Sequence, residues 1–276
     1  MAEPMTAATL LRILKAEGCR IAIPHSGWPT HERDDETGKP FGPVHGVVIH
    51  HTAGLNVGDY VYNGSTALPG PLCHGYIRKD GVIEMCSAGR ANHAGGGDPD
   101  VLNAVIAESY MTRPPAPKFH EGSPGAADGN DVFYGFECEN EGTGSDPWPN
   151  VQYVCMVKAA AAICRYYQWS SKSVIGHLEW SDWKSDPAGF GMVTFRADVA
   201  TCLRAAPGTW PTAIPEEPPV ATIEEQILAQ VNAVKDAQKI APWQYKNLNI
   251  DDRDMHAVLR GVDAKLDEIL AKLNAQ

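Results

Sequence analysis

Val47-Val48-Ile49 is a run of β-branched side chains that stops abruptly on His50-His51-Thr52-Ala53-Gly54. Residues 44–50 (VHGVVIH) therefore read as a buried strand with polar groups at its end. Such a strand has to be covered, and the rest of the chain supplies the cover. Leu10, Leu11, Ile13 and Leu14 give an early helix an apolar face that Gly18 can stop. Residues 24–42 are polar and turn-rich and read as a loop or an accessory insertion. Residues 72–85 (LCHGYIRKDGVIEM) read as a hairpin turning at Lys79-Asp80-Gly81. Residues 95–130, with many glycines and prolines, read as an irregular crossing. A second strand is predicted over residues 132–139 (VFYGFECE) and an Ala-rich helix over 152–169. Val174-Ile175 reads as a short last strand running into Gly176-His177, and residues 195–203 as a closing helix. Strands interleaved with helices, one hairpin among them, predict an α/β domain with a mixed central β-sheet flanked by helices.

The composition shifts after Ala206. Residues 207–219 (PGTWPTAIPEEPP) hold five prolines and read as a stiff, extended linker. The expected organisation is a main domain over 1–206, a linker over 207–220 and a small α-helical tail over 221–276. In the tail, Met255, Leu259, Val262, Leu266, Ile269 and Leu273 follow an a/d spacing. Ile223, Ile227, Val231 and Val234 form a weaker stripe, and Pro242 separates the two segments. The tail has three readings from sequence: a hairpin packed on the main domain, a homo-oligomerising module, or a targeting module.

A formal charge of −11 and a pI near 5.3 argue against a broad grip on nucleic acid and against a polybasic membrane anchor. No apolar run approaches the roughly 18–20 residues that span a bilayer. The seven cysteines include no C-x-x-C pair and read as reduced, mostly buried thiols of a cytoplasmically made protein. The N-terminal MAEPMTAATLLRILKAEG lacks the layout of a secretory signal.

A catalytic zinc site needs about three protein ligands and one open position. His50 closes one predicted strand and His177 closes another. Asp186 follows His177 in GHLEWSDWKSDP, in a loop stiffened by Pro187. Two strand ends can thus offer imidazoles to one ion while the loop folds a carboxylate back.

The motifs VVIHHTAG, CHGYIRKDGVI, ANHAG, YGFECEN with a downstream Gln, and IGHLEW…KSDP occur in an order that resembles the zinc-dependent N-acetylmuramoyl-L-alanine amidases. This is the amidase-2 and peptidoglycan-recognition-protein superfamily, and the likeness covers roughly residues 44–204. With the linker and tail, the chain is similar to a bacteriophage endolysin. The resemblance implies a peptidoglycan groove over Zn2+ held by His50, His177 and Asp186. It implies Glu137 as the proton acceptor, with Glu139 as a competitor on the same face by strand alternation. In other branches a tyrosine precedes the hairpin histidine; here Cys73 precedes His74. The resemblance also places Lys184 beside the metal, against the developing oxyanion. It places His93, with Asn92 and Thr52, at the substrate groove, and leaves His51 structural or behind the ligands. Trp183 departs from the arginine that relatives often carry before that lysine.

The implied reaction is hydrolysis of the amide between N-acetylmuramic acid and the stem peptide. The rival readings are a cytoplasmic amidase recycling soluble muropeptides and a non-catalytic peptidoglycan receptor. For a lysin without a signal, access to the wall is expected to depend on a holin-like membrane-permeabilising factor.

Overall fold

A computed structural model of the chain describes residues 2–210. The predicted tail over 221–276, its heptad seam and most of the predicted linker lie outside the described residues. Among the described residues eight strands occur: β1 (Arg20–Ala22), β2 (Gly46–His51), β3 (Gly75–Ile77), β4 (Val82–Met85), β5 (Gly96–Gly97), β6 (Ala127–Asp128), β7 (Phe133–Cys138) and β8 (Val174–Gly176). The α-helices are α1 (Ala7–Ala16), α2 (Asp34–Thr37), α3 (Gly58–Asn63), α4 (Pro99–Ile106), α5 (Gly129–Val132), α6 (Asn150–Tyr167), α7 (His177–Trp180) and α8 (Met192–Arg204).

Six strands form one sheet in the order β1-β4-β3-β7-β2-β8, and β5 pairs with β6 in a separate ribbon. In the large sheet β3 and β4 are antiparallel, while the other neighbouring pairs are parallel. This is the mixed sheet that the sequence predicts. The hairpin turns at Asp80 and Gly81, where Gly81 takes φ +73° and donates its amide to the Arg78 carbonyl.

The two faces of β2 look into two different hydrophobic clusters. Val47 and Ile49 pack with Leu10 and Leu14 of α1, the alanines 159–162 of α6, and Phe195 and Val199 of α8. Small alanines let α6 lie close against the sheet, so its middle turns are wholly buried. Val48 faces the other way, into a smaller core with Phe133, Ile175, Val101, Val105 and Trp180. The period-two alternation places His50 on this second face with Val48.

Two elements depart from the sequence reading. β1 is a three-residue edge strand, too short to show a period. α4 lies inside the stretch read as irregular: Asp98 caps it by accepting the Asp100 amide, and Pro99 opens it. Its cap and its apolar spacing were masked by the surrounding glycines and prolines. Residues 24–42 are largely loop, with short helical turns at Trp28–Thr30 and Asp34–Thr37. Trp210, in the segment read as linker, is buried with the main core. The seven cysteines are buried and unpaired in disulfides. Among the described residues, no helix is long and apolar enough to cross a membrane.

Candidate metal centre

Strand register brings the key groups together. In the parallel β2–β7 pair, His50 stands opposite Glu137, so both side chains leave the same face of the sheet. In β2–β8, Ile49 stands opposite Gly176, which sets His177 at the level of His50 just beyond the strand end. The site therefore sits at the carboxyl ends of three parallel strands, where open α/β sheets leave room for ligands.

Three donor atoms converge there. His50 Nδ1 lies 2.9 Å from His177 Nδ1 and 3.0 Å from Asp186 Oδ2, and His177 Nδ1 lies 3.1 Å from the same oxygen. All three residues are buried, His50 to 1% exposure. The ligand atoms lie within 4.8 Å of one another, so one ion could touch all three.

The hydrogen bonds behind the imidazoles fix which nitrogen faces the centre. His177 Nε2 lies 3.0 Å from the Ala94 carbonyl oxygen, which can only accept, so Nε2 carries the proton and Nδ1 the lone pair. His93 Nε2 likewise donates to the Phe133 carbonyl at 3.0 Å, leaving His93 Nδ1 as an acceptor. That nitrogen receives the proton of His50 Nε2 at 3.0 Å, and His50 Nδ1 is left with its lone pair inward. Two lone pairs facing each other at 2.9 Å repel unless a cation lies against them. The donor set thus fits a divalent metal that accepts nitrogen and carboxylate.

The electrostatics agree. Burial lowers His50 to about 4, and neighbouring His177 adds to the effect, so the imidazole stays neutral and able to ligate. Burial alone would raise the Asp186 carboxyl, but the His177 and His50 rings against it outweigh burial and hold the group well below its ordinary range, as an anion.

Glu137 is the group left over. Its Oε1 lies 4.0 Å from His50 Nδ1, outside the donor triangle, and its Oε2 is buried without a hydrogen-bond partner. Burial pushes this carboxyl well above its ordinary value, the Asp186 charge pushes it further, and Lys184 pulls it back. Glu139 is placed elsewhere. β7 ends at Cys138, and the Glu139 carboxylate accepts the backbone amides of Asn56 at 2.6 Å and Lys79 at 2.9 Å. Simple alternation therefore stops applying one residue before Glu139.

Lys184 is exposed, and it lines a groove of about 480 Å3 that also contains His177, His93 and Asn92. The other sequence candidates have their polar atoms engaged. His93 borders the groove, but both of its nitrogens point inward as described, and its ring lies on Gly135, where a Cβ would come within 2.3 Å of Nδ1. Its two nitrogens hold His50 and the Phe133 carbonyl, while the ring borders the groove. Asn92 Nδ2 donates to the Pro69 carbonyl at 2.7 Å. Thr52 Oγ1 donates to the Gly54 carbonyl at 2.7 Å and accepts the Asn140 amide at 3.1 Å, so it shapes the turn after β2. His51 points to the opposite side of β2, and its Nδ1 accepts the Ala188 amide at 3.1 Å, tying down the loop that carries Asp186.

One supporting pair was not visible in the sequence. Arg196 of α8 makes two bonds to Glu179 of α7, at 2.6 and 2.9 Å, and reaches the Val174 and Thr112 carbonyls. Glu179 also accepts the Gly176 amide at 3.2 Å. This buried network fixes the corner on which His177 stands. Glu179 three residues after Gly176 hints at an N-cap, but nothing local points to Arg196 as its partner.

A family model described as N-acetylmuramoyl-L-alanine amidase matches residues 40–189, more than half of the chain. Solved structures similar to the chain include a selenomethionine derivative of AmpD, 22% identical, with a TM-score of 0.41 over 66% of this chain and 94% of that one. Another is the endolysin N-acetylmuramoyl-L-alanine amidase LysCS from Clostridium intestinale, 16% identical, with a TM-score of 0.42 over 65% and 95%. A third is AmiD from E. coli, in complex with an anhydro-N-acetylmuramic acid peptide substrate. It is 17% identical, with a TM-score of 0.35 over 68% and 71%. None of the curated proteins matches the chain significantly.

Proposed function

Because the chain belongs to the N-acetylmuramoyl-L-alanine amidase family and has that activity on peptidoglycan, we propose that it is a zinc-dependent lysin of the endolysin type. It would cut the amide between N-acetylmuramic acid and the L-alanine of the stem peptide in the intact wall. The observation that carries the chemistry is the convergence of two imidazole lone pairs and one carboxylate beside a second, unpartnered carboxylate.

In this reading His50, His177 and Asp186 hold the zinc. When bound, zinc supplies Lewis acidity, polarising the scissile carbonyl and easing deprotonation of water. Glu137 accepts the proton of the attacking water and returns it to the L-alanine nitrogen as the C–N bond breaks. A carboxyl raised well above its ordinary value suits both halves of that task. Lys184 opposes the negative charge that builds on the carbonyl oxygen.

Action on the polymer is supported by the sequence beyond the amidase domain. The prolines of residues 207–219 and the a/d-spaced residues after them suit a separate wall-targeting or oligomerising unit. Such a unit has little use in an enzyme that recycles soluble fragments. The protein would be made in the cytoplasm and reach the wall after a separate factor opens the membrane.

Purified sacculi test this reading. The wild-type enzyme is expected to release N-terminal alanine without new reducing sugar, to lose that activity on chelation and to regain it with zinc. Glu137→Gln should keep its zinc, measured by metal content, and lose about 10²- to 10⁴-fold in turnover. New reducing sugar would overturn the bond assignment. Faster turnover of soluble muropeptides than of sacculi would favour the recycling enzyme.

A further inference from the structure

The segment after β8 carries two tryptophans with opposite environments. Trp180 is fully buried, edge-on to Phe133, with its Nε1 donating to the Gly95 carbonyl. Trp183, three residues later, is 69% exposed. Its ring nevertheless has a fixed place. It stacks on His120 with the centroids 3.5 Å apart and the planes at 11°. His120 is held in turn by Asp182, Nδ1 to Oδ1 at 2.8 Å, and the Asp182 amide donates to the Phe119 carbonyl at 3.1 Å. One face of the indole is therefore covered, and its exposure belongs to the other face and the edge. Trp183 also lines the groove that holds His177 and Lys184.

We propose that Trp183, backed by His120, is a saccharide platform that takes a pyranose ring of the glycan strand beside the cleaved bond. The proposal rests on the amidase reading above. A peptidoglycan substrate has two components, glycan and stem peptide. The sugar ring is the one that offers a flat face of C–H bonds about the size of an indole. Those C–H bonds carry partial positive charge and meet the negative face of the aromatic ring favourably. The stacked His120 holds the indole in place before binding, which removes part of the ordering cost. Glu121 and Lys184 line the same groove and offer an acceptor and a donor to hydroxyl and acetamido groups.

The test uses the full chain after chelation, so that binding is read without turnover, and peptide-free glycan strands as the probe in calorimetry. Trp183→Ala is expected to bind about tenfold more weakly than wild type, while Trp183→Phe, which keeps an aromatic face, recovers most of the loss. On sacculi, the zinc-loaded Trp183→Ala enzyme should show its loss in KM rather than in kcat. Equal glycan affinity of wild type and Trp183→Ala would overturn the platform. So would a loss in Trp183→Phe as large as that in Trp183→Ala, since that pattern marks a merely structural ring. Amine release from sacculi with Trp183-independent glycan binding would sink the platform and leave the amidase reading standing. Trp183-dependent binding without any amine release would do the reverse.

Discussion

His50 and Glu137 stand on neighbouring strands, whereas Asp186, Lys184 and Trp183 stand on the loop after α7. The two halves of the site are held by different physics. The strand half is fixed by backbone register and by a buried chain of neutral rings, from His50 through His93 to the Phe133 carbonyl. The loop half is fixed by side-chain bonds reaching in from elsewhere: Arg196 on Glu179 behind His177, His51 on the Ala188 amide, and His120 under Trp183. The strand half rests on strand pairing and on one short chain of buried rings. The loop half depends on a few side-chain contacts.

The largest expected effect breaks the loop half. Arg196→Met leaves the Glu179 charge buried without its partner, and urea unfolding should show a loss of about 3–5 kcal/mol. Replacing both residues, Arg196→Met with Glu179→Leu, should restore most of that stability. Equal losses in the single and double variants would mean that the corner depends on shape rather than on pairing.

The next effect sharpens the strand half. His74 lies beneath the site, with Nδ1 accepting the Gly135 amide at 2.9 Å, and burial pushes it down to about 3. Its ordinary value is about 6.5, so below that pH the unfolded chain takes up a proton that the folded chain refuses. The associated stability is complete above pH 6.5 and drains away as the pH falls towards 3. Between pH 6.5 and 4 this group should account for a loss on the order of 3 kcal/mol in the metal-free protein. His74→Leu should flatten that part of the stability curve, and an unchanged slope would remove His74 as its source.

The smallest effect concerns the ring behind the first ligand. His93→Leu removes the acceptor that fixes the His50 tautomer and should weaken metal binding about 10- to 100-fold in chelator competition. His93→Gln can accept from His50 Nε2 and donate to the Phe133 carbonyl, and should regain much of that affinity. Equal losses in both variants would mean that the ring's volume over Gly135 matters more than its hydrogen bonds.

Much of the site could be read from the chain alone because its signals are local. A β-branched run ending in His50, a second strand ending in His177 and a carboxylate before Pro187 each lie within a few residues. Residue period then gives the face on which each group stands. Period could not choose between Glu137 and Glu139, because the choice depends on where β7 ends and on which backbone amides lie nearby. The partners of His93 were hidden for a similar reason: they are His50 and Phe133, each about 40 residues away.

The sequence by itself determined the mixed α/β class and the strand ends that carry His50 and His177, since hydrophobic period and strand-end chemistry are properties of short segments. Tertiary structure alone decided which nitrogen of each histidine faces the donor triangle, which glutamate is left unpartnered and which tryptophan is covered. Those outcomes rest on single hydrogen bonds and ring contacts between residues far apart in the chain, and such contacts exist only once the sheet has set its register and the loops have closed over it.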